Sequence, residues 1–277
     1  METRARVLID CDDAKGLVYK ISKVFFEKAL NIDSNREFVD KESGRFFMRT
    51  VVTGTFEPDE LLNELKNVAP EADIKVIVPK PKKIVLMATK ESHALGDILI
   101  RHADGELDAE IECVIANHDT LETLVRRFDI PFFCIPADGM NREEHEEKVM
   151  ELIDTFEFDF IVLAKYMRIL TPKFVNAYEK KIINIHHSFL PAFIGANPYK
   201  QAHERGVKII GATAHFVTDD LDEGPIIAQD VIPVNHRMEW KDMQSAGRDV
   251  EKVVLSRALS YVLNDRVFVY GNKTIVF

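Results

Sequence analysis

The chain has 277 residues, 46% hydrophobic and 30% charged, with a formal charge of −10. That length and apolar content supply a packed core for one large domain or two of ordinary size. The acidic balance disfavours nucleic acid or an anionic membrane as partner, because both require a basic surface, and leaves a small molecule as the expected one.

In chain order, the first eighty residues alternate cleanly. The pattern predicts a strand over 5–10, a helix over 17–29, strands over 32–40 and 46–55, a helix over 59–68 and a strand over 73–78. That is the β-α-β-β-α-β order of a ferredoxin-like α+β domain. Leu17, Val18, Ile21, Val24, Phe25 and Ala29 recur at three-and-four spacing, one buried helical face. Asp40-Lys41-Glu42-Ser43-Gly44 makes the hairpin turn. Pro79-Lys80-Pro81-Lys82-Lys83 reads as a stiff, solvated link, so domains are expected over 1–79 and 83–277.

Beyond the link, apolar runs at 84–88, 111–116, 132–135, 160–163 and 182–185 alternate with helical stretches at 121–128 and 143–155. Short buried strands separated by helices predict an α/β domain with a mostly parallel, Rossmann-like sheet covered on both faces. Runs at 209–217 and 226–234, joined by an acidic turn, are expected to extend it as a strand pair, and 240–263 reads as a long closing helix.

No run of 18 apolar residues occurs and the N-terminus lacks the apolar segment of a secretory signal, so the cytoplasm is the expected location. Cys11, Cys113 and Cys134 form no CxxC pair, which fits a reducing compartment and small buried apolar roles.

The chemistry concentrates around residues 181–191 and 215–224. Lys181-Ile182-Ile183-Asn184-Ile185-His186 reads as a buried strand, in which Asn184 and His186 share a face and His187 points away. Adjacent histidines facing apart do not chelate one ion, and no spacing of three or four ligands is present, so no metal is expected. Ligands of open α/β sheets bind at the carboxyl ends of strands, where Asn184 and His186 fall. With Asp222 from the acidic turn they suit attack on an acyl carbon, two groups holding an oxyanion and a carboxylate handling protons. The structural alternatives are ordinary: an asparagine capping a turn, a histidine satisfied in the core, and a solvated acidic loop.

Asn184-Ile185-His186, His215-Phe216-Val217 and Asp222-Glu223-Gly224-Pro225-Ile226-Ile227 resemble, in letters and spacing, the signature of folate-dependent formyltransferases. Within that superfamily, the string from Ile183-Asn184-Ile185-His186-His187-Ser188-Phe189-Leu190-Pro191 through Ala192-Phe193-Ile194-Gly195-Ala196, and Ala246-Gly247-Arg248-Asp249-Val250-Glu251-Lys252, resemble the formyltetrahydrofolate deformylase family over nearly the whole chain. Asp12-Asp13-Ala14-Lys15-Gly16-Leu17-Val18 resembles the first strand-to-helix turn of the ACT domain that these enzymes carry.

The resemblance implies a hydrolase acting on the linear amide of 10-formyltetrahydrofolate, with water as co-substrate and formate and tetrahydrofolate as products. Such an activity would feed formate to purine synthesis and balance the one-carbon pool. It implies catalytic roles for Asn184, His186 and Asp222, folate binding by Met167, Arg168, Ile169 and Leu170, closure of the pterin pocket by Asp220, and support of Asp222 by His215. No cofactor or metal is implied. An amino-acid effector at Asp12, Gly16 and Leu17, and a homodimer or homotetramer, complete the expectation; isolated ferredoxin-like modules expose edges or faces that partners cover.

Met87-Ala88-Thr89-Lys90-Glu91-Ser92-His93-Ala94-Leu95-Gly96-Asp97 follows the first strand of the second domain. It has no glycine before Gly96, so a backbone nest for a substrate phosphate is hard to build there, which favours water over a phosphorylated amine as acceptor. Ala94 stands where many relatives have Cys, which leaves the catalytic roles untouched, and Asp13-Ala14 stands where Pro-Asp is common, which weakens the effector reading. A formyltransferase to another amine and a folate-binding amino-acid sensor without turnover remain the alternatives.

Overall fold

The computed structural model describes residues 2–192 and 197–277, in two compact units. Met1 and the resemblance segment Phe193-Ile194-Gly195-Ala196 lie outside the described residues. The first unit runs to Lys80 and also takes Asn264–Phe268 and Ile275–Phe277; the second comprises Pro81–Leu263 and Val269–Thr274. A second domain running unbroken to 277 is therefore corrected, because the last residues return to the first unit.

In the first unit, β1 (Thr3–Asp12), α1 (Leu17–Glu27), β2 (Asn31–Asp40), β3 (Arg45–Gly54), α2 (Pro58–Val68) and β4 (Asp73–Ile77) follow the expected ferredoxin-like order, with the strands arranged β2-β3-β1-β4. Alternation on β1 sends Ala5, Val7, Ile9 and Cys11 into a core with Ile21 and Phe25 of α1 and Leu61 and Leu65 of α2. Helix α1 begins after Gly16, whose φ of +84° suits a residue without a Cβ, and ends before the predicted Ala29 because Ala29 turns left-handed at φ 55°.

The opposite sheet face is covered by the returning C-terminal segment. The Arg6 Nη1 donates to Asp265 Oδ2 at 2.8 Å, and the Arg49 Nε and Nη2 donate to the carbonyls of Asp265 and Asn264 at 2.9 and 3.0 Å. The ring of Phe47, fully buried, meets Phe268 edge-on at 5.6 Å, and Phe277 packs on Phe268 at 5.7 Å.

The second unit contains β5 (Lys82–Ala88), α3 (His93–Ala103), β6 (Ala109–Ala116), α4 (Glu122–Arg126), β7 (Phe132–Cys134), α5 (Arg142–Ile153), β8 (Phe160–Leu163), α6 (Pro172–Ala177), β9 (Ile182–His186), α7 (Pro198–Arg205), β10 (Ile209–Phe216), β11 (Ile226–Pro233) and α8 (Trp240–Leu263). A short hairpin, β12 (Val267–Tyr270) and β13 (Lys273–Val276), ends the chain. The seven-stranded sheet runs β11-β10-β9-β8-β5-β6-β7, parallel from β7 to β9 and antiparallel at β10 and β11. The chain winds outward from β5 through β6 and β7, then restarts on the other side with β8. This reversal creates a switch point, and a crevice, at the carboxyl ends of β5 and β8.

Helices α3, α6 and α7 and the final hairpin are absent from the sequence reading; α6 has 6 residues and α7 has 8, too few for a period to show. Cys11 and Cys113 are buried as expected, while Cys134 is exposed at the end of the outermost strand β7. No helix among the described residues is long and apolar enough to cross a membrane.

Because Phe47 joins the sheet to the returning segment, Phe47→Ala is expected to destabilise the first unit by about 3–5 kcal/mol, seen as an earlier transition in urea; an unchanged midpoint would mean that this packing contributes nothing.

Candidate active site

Strand β9 ends at the switch-point crevice, and its antiparallel pairing with β10 sets Asn184 opposite His215 and His186 opposite Thr213. Asn184 and His186 share a face by strand alternation, as the sequence predicts. The turn after β10 then brings back Asp222. The His186 Nδ1 lies 3.2 Å from Asp222 Oδ1, and the His215 Nε2 lies 3.8 Å from the same oxygen. Asn184 Nδ2 stands 3.2 Å from His215 Nε2.

Hydrogen-bond logic fixes the protons. The His215 Nδ1 faces the Phe216 carbonyl at 2.9 Å, and a carbonyl only accepts, so Nδ1 carries the hydrogen. Burial holds His215 below the usual histidine value, hence neutral, and its Nε2 accepts from the Asn184 amide. One Asn184 N–H remains for a ligand. The His186 Nε2 is buried without a partner among the described residues.

Burial alone would raise the Asp222 carboxyl, but the hydrogen bond from His186 and the charge of that ring outweigh it and hold the group below the ordinary aspartate range. Asp222 is therefore an anion at neutral pH. Its backbone sits in the left-handed region at φ 58°, a strained placement that asparagine and aspartate tolerate best. Gly224 holds that turn close, because a Cβ there would overlap the Phe216 carbonyl oxygen, the acceptor that orients His215. The loop after β9 is clamped as well: Thr213 Oγ1 accepts from Leu190 N at 3.0 Å and donates to the Ser188 carbonyl at 2.9 Å.

These groups open into a cleft of about 270 Å³ at the ends of β8 and β9. Residues 165–170 form its other wall as a loop, and Met167 and Ile169 are half exposed there. Met167 N donates to Thr89 Oγ1 at 2.9 Å, tying the loop to the end of β5. Met167, Arg168, Ile169, Leu170 and His215 all line the cleft, as expected. Asp220 does not. It is exposed on the turn, and its neighbours Asp219 and Leu221 line the wall in its place.

His187 departs from its expected orientation: β9 ends at His186, alternation stops there, and the two rings lie 5.1 Å apart on the same cleft. Burial, with the charges of Lys165 and His186, lowers His187 to about 3, so it stays neutral. In the first unit, Asp12 pairs with Arg45 Nη1 at 3.0 Å and Gly16 starts α1. The Leu17 side chain is buried in the core, which leaves only its backbone for an effector and corrects its expected role.

Behind the cleft lies a second buried carboxylate that the sequence reading quoted without a role. Glu251, fully buried on α8, receives Lys165 Nζ at 3.0 Å, His93 Nε2 at 2.8 Å and the Tyr199 hydroxyl at 2.7 Å. Burial would raise its carboxyl, but the His93 hydrogen bond, the Lys165 charge and the Tyr199 hydroxyl hold it down to about 2. Lys165 itself adopts a left-handed φ of 65°, and Gly247 lies against the Tyr199 ring, where a Cβ would overlap it. The signal in the sequence was an acid placed among Val250, Val254 and Ala258 on the apolar stripe of α8. Among the described residues no group of three or more His, Cys, Asp or Glu is placed to hold a metal.

Comparison with known proteins shows what the whole chain is similar to. Residues 82–259 match the family model described as formyl transferase, and residues 5–70 the ACT domain. The formyltetrahydrofolate deformylase of Escherichia coli (strain K12) is 57% identical over 96% of this chain and 95% of its own, and that of Haemophilus influenzae 54% over 98% of each. A crystal structure of a formyltetrahydrofolate deformylase from Pseudomonas syringae pv. tomato superposes with a TM-score of 0.95 at 44% identity, covering 100% of this chain and 95% of that one.

Two substitutions test the architecture. Gly224→Ala should leave the fold's melting cooperative yet cut turnover at least about a hundredfold, the scale expected when a reacting group is displaced by an ångström; near-parent turnover would show that the tight turn does not position Asp222. Glu251→Gln should cost about 3 kcal/mol near neutral pH. The Glu251 carboxyl lies below its ordinary 4.5 in the fold, so its contribution is present above 4.5 and fades as pH falls toward 2. Stability curves of parent and variant should therefore converge over that interval; a constant gap would refute the assignment.

Proposed function

The chain belongs to the formyltetrahydrofolate deformylase family, and on that premise we propose that Asn184, His186 and Asp222 carry out its hydrolysis in the cleft at the ends of β8 and β9. The protein cleaves 10-formyltetrahydrofolate with water to formate and tetrahydrofolate. The observation that supports these roles most directly is the contact of His186 Nδ1 with Asp222, which leaves the His186 Nε2 unpartnered beside an available Asn184 N–H.

With Asp222 ionised, the His186 Nδ1–H donates to it, and a second proton on Nε2 makes an imidazolium that can donate to the formyl oxygen. The Asn184 amide supplies the other donor. Water attacks the formyl carbon as Asp222 takes its proton, and the carbonyl electrons move to the oxygen held by the two donors. Collapse of that oxyanion breaks the carbon–N10 bond, and the proton held by Asp222 passes to N10. Formic acid leaves and ionises, restoring the starting state. Oxyanion donors of this kind contribute roughly 10²–10³ each, and a positioned acid–base roughly 10²–10⁴. No metal, cofactor or covalent side-chain intermediate enters these steps.

The apolar side chains of Met167, Ile169 and Leu170 suit a flat ring, with the loop backbone facing its polar edge, and Arg168 supplies charge at the rim. The ACT unit is a ligand-binding regulatory module by family. We place an amino-acid effector near the backbone of Asp12, Gly16 and Leu17, with self-association as a dimer or tetramer and cytoplasmic location as parts of the same reading. The released formate serves purine synthesis and the balance of one-carbon units.

Purified protein given 10-formyltetrahydrofolate without any amine is expected to release formate and tetrahydrofolate in equal amounts. Asp222→Asn should slow this by about 10³-fold or more, while folate affinity changes little. Tight folate binding without formate, or formyl transfer to an added amine that outpaces formate release, would overturn the hydrolytic reading.

A further inference from the structure

The first unit carries a cavity of about 840 Å³ on the sheet face partly covered by the returning C-terminal segment, and five of its thirteen lining residues are arginine: Arg4, Arg6, Arg36, Arg49 and Arg266. In a chain of net charge −10 this concentration is anomalous. None of its lining residues belongs to the cleft described above or to the turn around Gly16.

The register makes the crowding deliberate. Arg36 of β2 is the direct cross-strand partner of Arg49 of β3, and Arg6 of β1 sits opposite Val51, diagonal to Arg49 on the same face. Like charges directly opposite each other destabilise a sheet pair. Burial and the neighbouring charges of Arg6 and Arg266 push Arg49 below the usual guanidinium value, the signature of cations held closer than they would choose.

Structure accounts for some of these side chains and not others. Arg6 pairs with Asp265, Arg49 holds two backbone carbonyls, Arg266 donates to the Phe277 carbonyl oxygen, and Arg4 has a long pair with Asp33 at 3.7 Å. Arg36, exposed, serves none of these, and Arg49, bonded only to neutral oxygens, keeps donors of its five-donor fork to spare. Among the described residues, Glu2 is the one acid on the lining.

We propose that this cavity binds a small phosphorylated molecule, its phosphate held between the forks of Arg36 and Arg49 with Arg6 beside them. Arginine forks match phosphate oxygens two at a time, which lysine does not do. Val51, Val78 and Phe277 give an apolar floor for the rest of the molecule, with Ser34 and Asn264 as polar contacts. The volume falls in the range of small-molecule sites, roughly 300–1,000 Å³. The site would make the regulatory unit responsive to a phosphate-bearing metabolite independently of any amino acid.

Calorimetric titration of the full chain at constant ionic strength decides it, with inorganic pyrophosphate, adenosine 5′-monophosphate and succinate as probes. Saturable binding of one phosphate probe per chain, with succinate at least about tenfold weaker, is expected. Tighter binding of the nucleotide would identify the apolar floor as part of the site, and equal binding would make phosphate the whole determinant; both support it. Arg36→Glu should weaken binding at least about tenfold, the scale of one charged hydrogen bond, and leave formate release without ligand unchanged. Arg49→Gln should do the same, and if that variant fails to fold, Arg36→Glu settles the matter alone, since its side chain is exposed. Absence of saturable binding, equal binding of succinate, or affinity unchanged by Arg36→Glu would overturn the site.

Discussion

Everything at the catalytic centre depends on burying one carboxylate. The Asp222 side chain is only 9% exposed, and an unpaired anion at that depth would take up a proton instead of staying ionised. The Nδ1–H of His186 answers it, and His215 flanks the same oxygen. Because His215 is oriented by the carbonyl of Phe216, the next residue on β10, and His186 by Asp222, the three side chains are set together. The β9–β10 register and the tight turn at Gly224 are what bring them within reach.

The same solution is used twice in the second unit. Glu251, on a long helix, is as deeply buried as any residue in the molecule and is neutralised by Lys165 from the loop that also forms the cleft wall. A buried ion pair is a weak source of net stability compared with an apolar replacement, but removing one partner is costly. Its effect is positional: it pins the start of the 165–170 loop, whose left-handed residue would otherwise relax, and so sets the distance between that wall and the catalytic groups.

Much of this was legible in the residues. The alternation of the strands, the hairpin at Asp40–Gly44 and the long helix α8 announced themselves because each rests on local rules of alternation, turn chemistry or spacing, whereas the expected link over Pro79–Lys83 is shorter, its last two residues already lying in β5. Asn184 and His186 were readable as a same-face pair for the same reason. What escaped depends on tertiary contact. The short helices α6 and α7 carry less than three turns of pattern, the orientation of His187 followed from where β9 stops, and Asp219 and Leu221 replaced Asp220 because a turn, unlike a strand, has no fixed alternation. The partners of Glu251, His93, Lys165 and Tyr199, come from three separate segments, a meeting that no local pattern encodes. Nor did the sequence reveal that Asn264–Phe268 and Ile275–Phe277 rejoin the first unit, since a short hairpin carries no local mark of where it docks.

That return has a temporal consequence. A chain leaves the ribosome from its amino end at roughly 5–20 residues per second, and about 180 residues separate the two parts of the first unit. For some ten to forty seconds, then, the ferredoxin-like sheet exists with Phe47 bare and its arginines facing water. That face is covered only when residues 264–277 emerge, so completion of the first unit follows synthesis of Pro81–Leu263.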